Sequence, residues 1–116
     1  MEQTLINRFG LKDRVLDEIT KIARQNEVEK LVLFGSRARG DYKEKSDIDL
    51  AFWGGNSASF IVDVNEDTYT LLQFDVIDME GPVQKELRDS IEAEGVVIYE
   101  KNGELQEGLS QSEGDL

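Results

Sequence analysis

Apolar and polar positions alternate along the chain with changing periods, and each period predicts an element. From Leu11 to Gln25 the apolar residues Leu11, Val15, Leu16, Ile19, Ile22 and Ala23 form one stripe of a helix, with Lys12, Asp13, Asp17, Lys21 and Arg24 on the wet side. Lys30 to Phe34 is a short apolar run that reads as a buried strand, and Gly35-Ser36 stops it. Arg37 to Lys45 is polar and charged, and reads as a turn, with one short helical turn at most, then a loop. Asp47 to Trp53 is a second strand, closed by the break Gly54-Gly55-Asn56-Ser57. Ser59 to Glu66 mixes a helix-like face of Phe60, Ile61 and Val64 with β-branched content, and a helix is expected. Thr68 to Asp78 reads as a strand with Leu72, Phe74 and Val76 on one face. Gly81-Pro82 predicts a helix start with Pro at the first helical position, a buried stripe of Val83, Leu87 and Ile91, and an end at Glu94 with Gly95 as cap. Val96 to Tyr99 is the last strand. This order predicts an α/β (α+β) domain in which helices flank a small mixed sheet.

Length bounds the domain count. The chain has 116 residues, enough for one ordinary domain. That domain is expected over 1–100, because 101–116 holds three Gly and four acidic residues without periodicity and reads as a disordered acidic tail. Charge and composition then remove whole classes of function. Thirteen Lys+Arg stand against 25 Asp+Glu, a net charge of −12, so bulk attraction to a nucleic-acid backbone is not expected. The absence of Cys and His removes thiolate chemistry, the usual zinc ligands and the usual general base near neutral pH. No apolar run approaches the roughly 20 residues that cross a bilayer, so no membrane role is expected. Met1 to Thr4 lacks the order of a signal peptide, and a cytoplasmic location is the expectation. Catalysis, where present, must rest on carboxylates, hydroxyls, Lys, Arg and backbone amides.

The stretch from Leu31 to Leu50 concentrates those groups. Gly35-Ser36, between a strand and a helical start, offers free N–H groups, a close backbone approach and a hydroxyl, which is how turns of this kind hold phosphate oxygens. Taken alone, the same pair reads more readily as a strand-to-helix turn with Ser36 as N-cap. Gly35 and Gly40 have P-loop spacing, but Asp41 and Tyr42 follow instead of Lys and Ser/Thr, so a Walker-type ATPase is excluded. Asp47 and Asp49 lie two apart on a strand and so share a face, a pair that calls for a hard cation or else faces solvent. Asp75 sits on the face of Gln73 within an apolar strand, where an ionised carboxylate is costly unless paired or metal-bound. It is therefore preferred as a third ligand over Asp78 at the strand end and over Asp63 and Asp67. Residues 35–46 carry Arg37, Arg39, Lys43 and Lys45 against Asp41 and Glu44, a local excess of positive charge that suits a polyanion such as a nucleoside triphosphate.

Gly35-Ser36, ten intervening residues, Asp47-Ile48-Asp49 and the later Asp75 together resemble the nucleotidyltransferase superfamily that includes DNA polymerase beta. The small size, Gly-Ser-Arg-Ala-Arg-Gly-Asp and the closing Glu94-Gly-Val-Val-Ile-Tyr-Glu100 resemble its minimal members, the MNT proteins, which are paired with helical HEPN-domain toxins. The resemblance spans residues 10 to 100, strongest at 31–50. It implies the nucleotidyltransferase fold, catalytic and metal-holding roles for Asp47, Asp49 and Asp75, and nucleotide binding by Gly35, Ser36 and Arg37. It further implies two Mg²⁺ ions, with Mn²⁺ as the alternative, ATP as substrate, and adenylylation of a tyrosine on a HEPN toxin, which would make the chain an antitoxin. Two other readings stand beside it. A non-catalytic antitoxin could mask a basic toxin by contact, and a small-molecule nucleotidyltransferase ranks below because the extra substrate-binding helical domain is missing.

Overall fold

A computed structural model describes residues 7–101 of the chain. The expected tail lies outside the described residues except for Lys101, whose N–H donates to the Glu29 carbonyl at 2.9 Å. The elements run α1 (Asp13–Gln25), β1 (Lys30–Phe34), α2 (Gly35–Arg39), β2 (Ile48–Trp53), α3 (Ser57–Asp67), β3 (Phe74–Asp78), α4 (Lys85–Glu94) and β4 (Val96–Glu100). The strands form one mixed sheet in the order β3-β2-β1-β4. β1 is antiparallel to β2 and to β4, and β2 is parallel to β3, with a register irregularity between Leu31 and Val32 on the β4 side.

Strand alternation divides the sheet residues between two cores. Leu31, Leu33, Ile48, Leu50 and Phe52 pack with Val15, Ile19, Ile22 and Ala23 of α1 and with Phe60 and Val64 of α3. Val32, Phe34 and Ala51 on the other face pack with Met79, Ile77, Val83 and the α4 residues Leu87 and Ile91. The parallel β2–β3 pair needs a crossover, and α3 supplies it. The ambiguous segment after the glycine break is therefore a helix. Asn56 caps it, accepting the Ser59 N–H on its side chain.

Two boundaries differ by three residues or more from those read in the sequence. β3 begins at Phe74 rather than Thr68, because the preceding backbone bonds to side chains instead of a neighbouring strand. Tyr69 N–H donates to the Glu18 carboxylate at 2.7 Å, and Leu72 N–H to Thr70 Oγ1 at 3.1 Å. α4 begins at Lys85, with extended Gln84 as N-cap, rather than at Pro82. Asp78 has already drawn the chain into a turn, accepting Glu80 N–H on its side chain and Gly81 N–H on its carbonyl. Val83 is thus a core contact ahead of the helix, not part of its stripe. Among the described residues no helix is long and apolar enough to cross a membrane.

Candidate active site

The parallel register of β2 and β3 places Asp49 directly opposite Asp75, and Ala51 opposite Ile77. One face of the sheet therefore changes character along both strands, from an apolar row under α4 to a row of acids. Neighbouring strands lie about 4.8 Å apart, so the two carboxylates are near neighbours. Asp47 precedes β2 by one residue and belongs to the same side as Asp49. Asp47 and Asp75 are exposed, while Asp49 is half-buried. Asp49 is pushed up to about 6, first by burial and then by the charges of Asp75 and Asp47, with Arg39 and Arg37 pulling it back.

Gly35 closes this end of the sheet. β1 delivers it beside Asp49, since Phe34 pairs with Asp49 in the antiparallel register. Its φ is +77°, and a Cβ there would overlap the Asp49 carboxylate. Only glycine suits both the left-handed backbone and the close approach. The N-cap of α2 is Phe34, without a side-chain cap, and Ser36 lies inside the first turn rather than capping it. The turn thus sets the start of α2, with its free backbone N–H groups, beside Asp49.

The four basic residues of 35–46 separate into different roles. Arg39 is exposed, and its guanidinium donates to Glu94 at 3.0 Å and Asp41 at 3.3 Å. Its field reaches Asp49. Lys43 and Lys45 face solvent. Arg37 is buried, and its donors go to main-chain carbonyls of Phe9, Gly10, Glu44 and Ser46. The expectation that Arg37 presents its guanidinium to a nucleotide does not fit that placement. Asp78 pairs with Phe52 at the far end of β3, and Asp63 accepts from Asn26 and Ser59, so neither joins the acid row. Glu94, which holds Arg39, is the neighbour that sequence reasoning missed; it lies 55 residues away on α4 with no local signal.

The donor set is all oxygen, and the charges of Asp75 and Asp47 both act on Asp49, which suits a hard divalent cation. Among the described residues no three acidic side chains are already arranged around one ion. A separate cavity of about 620 Å³ lies between Leu11, Val15 and residues 68–72, and uses none of these acids.

Residues 17–104 match the sequence profile of the family described as "Polymerase beta, Nucleotidyltransferase". A Methanocaldococcus jannaschii protein provisionally named a protein adenylyltransferase is 42% identical over 50 residues, 43% of this chain and 48% of its own length. The match therefore spans about half the length of that relative. Among solved structures, a toxin–antitoxin complex with AMP-PNP superposes with a TM-score of 0.58 at 17% identity, covering 84% of this chain and 90% of that one. A variant of the MntA–HpeT toxin–antitoxin complex also reaches 0.58, at 21% identity, covering 84% and 85%. At these identities the likeness is one of fold, and it agrees with the mixed sheet and flanking helices expected from the sequence.

Proposed function

We propose that this chain, which belongs to the polymerase beta nucleotidyltransferase family, transfers AMP from ATP to a tyrosine of a HEPN-type toxin and so acts as its antitoxin. The observation that carries the reading is the in-register pair Asp49 and Asp75, set beside the Gly35–Ser36 turn. The relative's name and the toxin–antitoxin pairs among the fold neighbours support the acceptor class. Asp47, Asp49 and Asp75 would hold divalent cations, Mg²⁺ in the first instance. Bound there, the cation would offset triphosphate charge and ease in-line displacement at the α-phosphorus, with pyrophosphate leaving.

The remaining work falls to this chain's own groups. The amides of the Gly35–Ser36 turn and the Ser36 hydroxyl orient the outer phosphates. Arg39, held by Glu94 and Asp41, supplies positive charge at the rim of the acid row. The Asp75 carboxylate, exposed on an edge strand, accepts a hydrogen bond from the incoming hydroxyl and sets its approach. With no His in the chain, no imidazole serves as base.

The test is the intact mass of the helical partner after incubation with this chain, ATP and Mg²⁺. A gain of one or more AMP units supports the reading, and an unchanged mass refutes it. The net charge of −12 favours a second reading, masking of a basic toxin by contact alone. In that case Asp49→Asn and Asp75→Asn proteins would still neutralise the toxin.

A further inference from the structure

The transfer chemistry leaves one buried charge unused. Arg37 is only 1% exposed on a helix of five residues, and burying a cation is costly. Burial lowers its pKa, with Tyr42 and Asp49 opposing. Its fork reaches two separate segments. On one side Nη1 donates to Phe9 O at 2.9 Å and Gly10 O at 3.2 Å. On the other, Nε and Nη2 both donate to Ser46 O, at 3.1 and 2.9 Å, and Nη2 also reaches Glu44 O at 3.0 Å. The Tyr42 ring lies 5.0 Å from the guanidinium carbon. Gly10 has φ +74°, and a Cβ there would run into both Tyr42 and Arg37, so the sequence keeps room for this stack.

The bond to Ser46 O has the clearest consequence. That carbonyl belongs to the peptide whose nitrogen is Asp47, and Arg37 itself follows Gly35 by two residues. We propose that Arg37 is a positioning residue, a clamp that fixes Asp47 and Asp49 relative to the Gly35–Ser36 turn. This rests on the reading of those acids as a cation site. Residues 41–47 form no helix or strand, and within them only Lys43 N–H to Ser46 Oγ and Ser46 N–H to Lys43 O tie the loop to itself. Like charges push Asp47 and Asp49 apart until a cation arrives, so the peptide before Asp47 needs a fixed anchor. A planar five-donor fork can meet carbonyls on two sides at once, whereas the single ammonium of lysine cannot.

The experiment titrates Mn²⁺ into the protein without nucleotide and reads free Mn²⁺ by electron paramagnetic resonance. Wild type, R37K, the core variant V64A and D49N are compared, with circular dichroism to establish folding. R37K is expected to stay folded and to bind Mn²⁺ about 10- to 100-fold more weakly, the range for groups that orient metal ligands. V64A, destabilised on α3 away from the loop, is expected to bind as wild type does, which separates positioning from general stability. Wild-type Mn²⁺ affinity in folded R37K overturns the proposal. Should R37K fail to fold, G10A decides, because the added Cβ would meet Arg37 Nη1 and the Tyr42 ring and so displace the fork while keeping its charge. Weakened Mn²⁺ binding in folded G10A supports the clamp, and unaltered binding overturns it. Equal Mn²⁺ binding by wild type and D49N would overturn the cation-site reading itself, and the clamp with it.

Discussion

Replacing Asp49 by Asn should stabilise the chain when no divalent cation is present. Asp49 is pushed up to about 6 from an ordinary value of 3.8, a displacement of about two pH units. By linkage that displacement corresponds to roughly 3 kcal/mol of unfavourable free energy for the ionised folded form. The side chain is only half-buried, and solvent screening reduces the expectation to about 1–2 kcal/mol. The sign follows from proton binding. The folded state holds the Asp49 proton more tightly than the unfolded state, so stability falls as pH rises from about 4 to about 6. Asp49→Asn removes that loss, so its advantage should be absent near pH 4, grow through pH 5 and be complete above pH 6. Among the described residues the Asp49 carboxylate makes no hydrogen bond whose loss would offset the gain. Urea denaturation of both proteins in chelator, at pH values from 4 to 7.5, measures the difference directly. Added Mg²⁺ or Mn²⁺ should reverse the order by stabilising wild type alone. Parallel pH profiles, or an Asn variant less stable than wild type at pH 7.5 without metal, would refute the reasoning.

Asp75→Asn should lower nucleotide transfer to the partner by at least about a hundredfold, since the charge facing Asp49 is lost while size is kept. Asp78→Asn should leave transfer near wild type, because that side chain accepts the Glu80 N–H in the turn beyond the strand. Radiolabel transfer measures both, and the opposite ranking would mean that the wrong face of β3 has been assigned to the site. Gly35→Ala should cost about 1–3 kcal/mol, the usual penalty for a side chain at positive φ. It should also displace the Asp49 carboxylate, so thermal melting and Mn²⁺ titration should both worsen; a variant with wild-type melting temperature would count against the packing described here.

Much of this architecture was legible because local pattern and burial agree. The Lys30–Phe34 run and the Asp47–Trp53 alternation become β1 and β2 with shifts of at most one residue. Alternation alone put Asp75 and Asp78 on opposite faces of their strand. The register that sets Asp75 against Asp49 came from the fold, because a parallel pairing is fixed by a crossover and not by either strand. The segment 68–73 read as strand because Leu72 continues the face of Phe74 and Val76, yet Glu18 and Thr70 satisfy its backbone instead. Arg37 was the least legible residue. In a run with Arg39, Lys43 and Lys45 it looks solvent-facing, and its acceptors at Phe9 and Gly10 lie 28 and 27 residues away.

The strand order carries a consequence for how the chain assembles. β1, β2 and β3 are consecutive in both sequence and space, whereas β4 must return to β1 across more than half of the described chain. Closing the longer loop costs more entropy, and the β1–β4 register is interrupted between Leu31 and Val32. β4 is therefore expected to dock last and open first. The acid row and the glycine turn belong to the three-stranded part and would survive that opening. Native-state hydrogen exchange should find the β4 amides released at lower free energy than those of β2, and equal protection in the two strands would contradict this order. The half of the sheet that carries the acid row would thus hold its geometry while β4 opens.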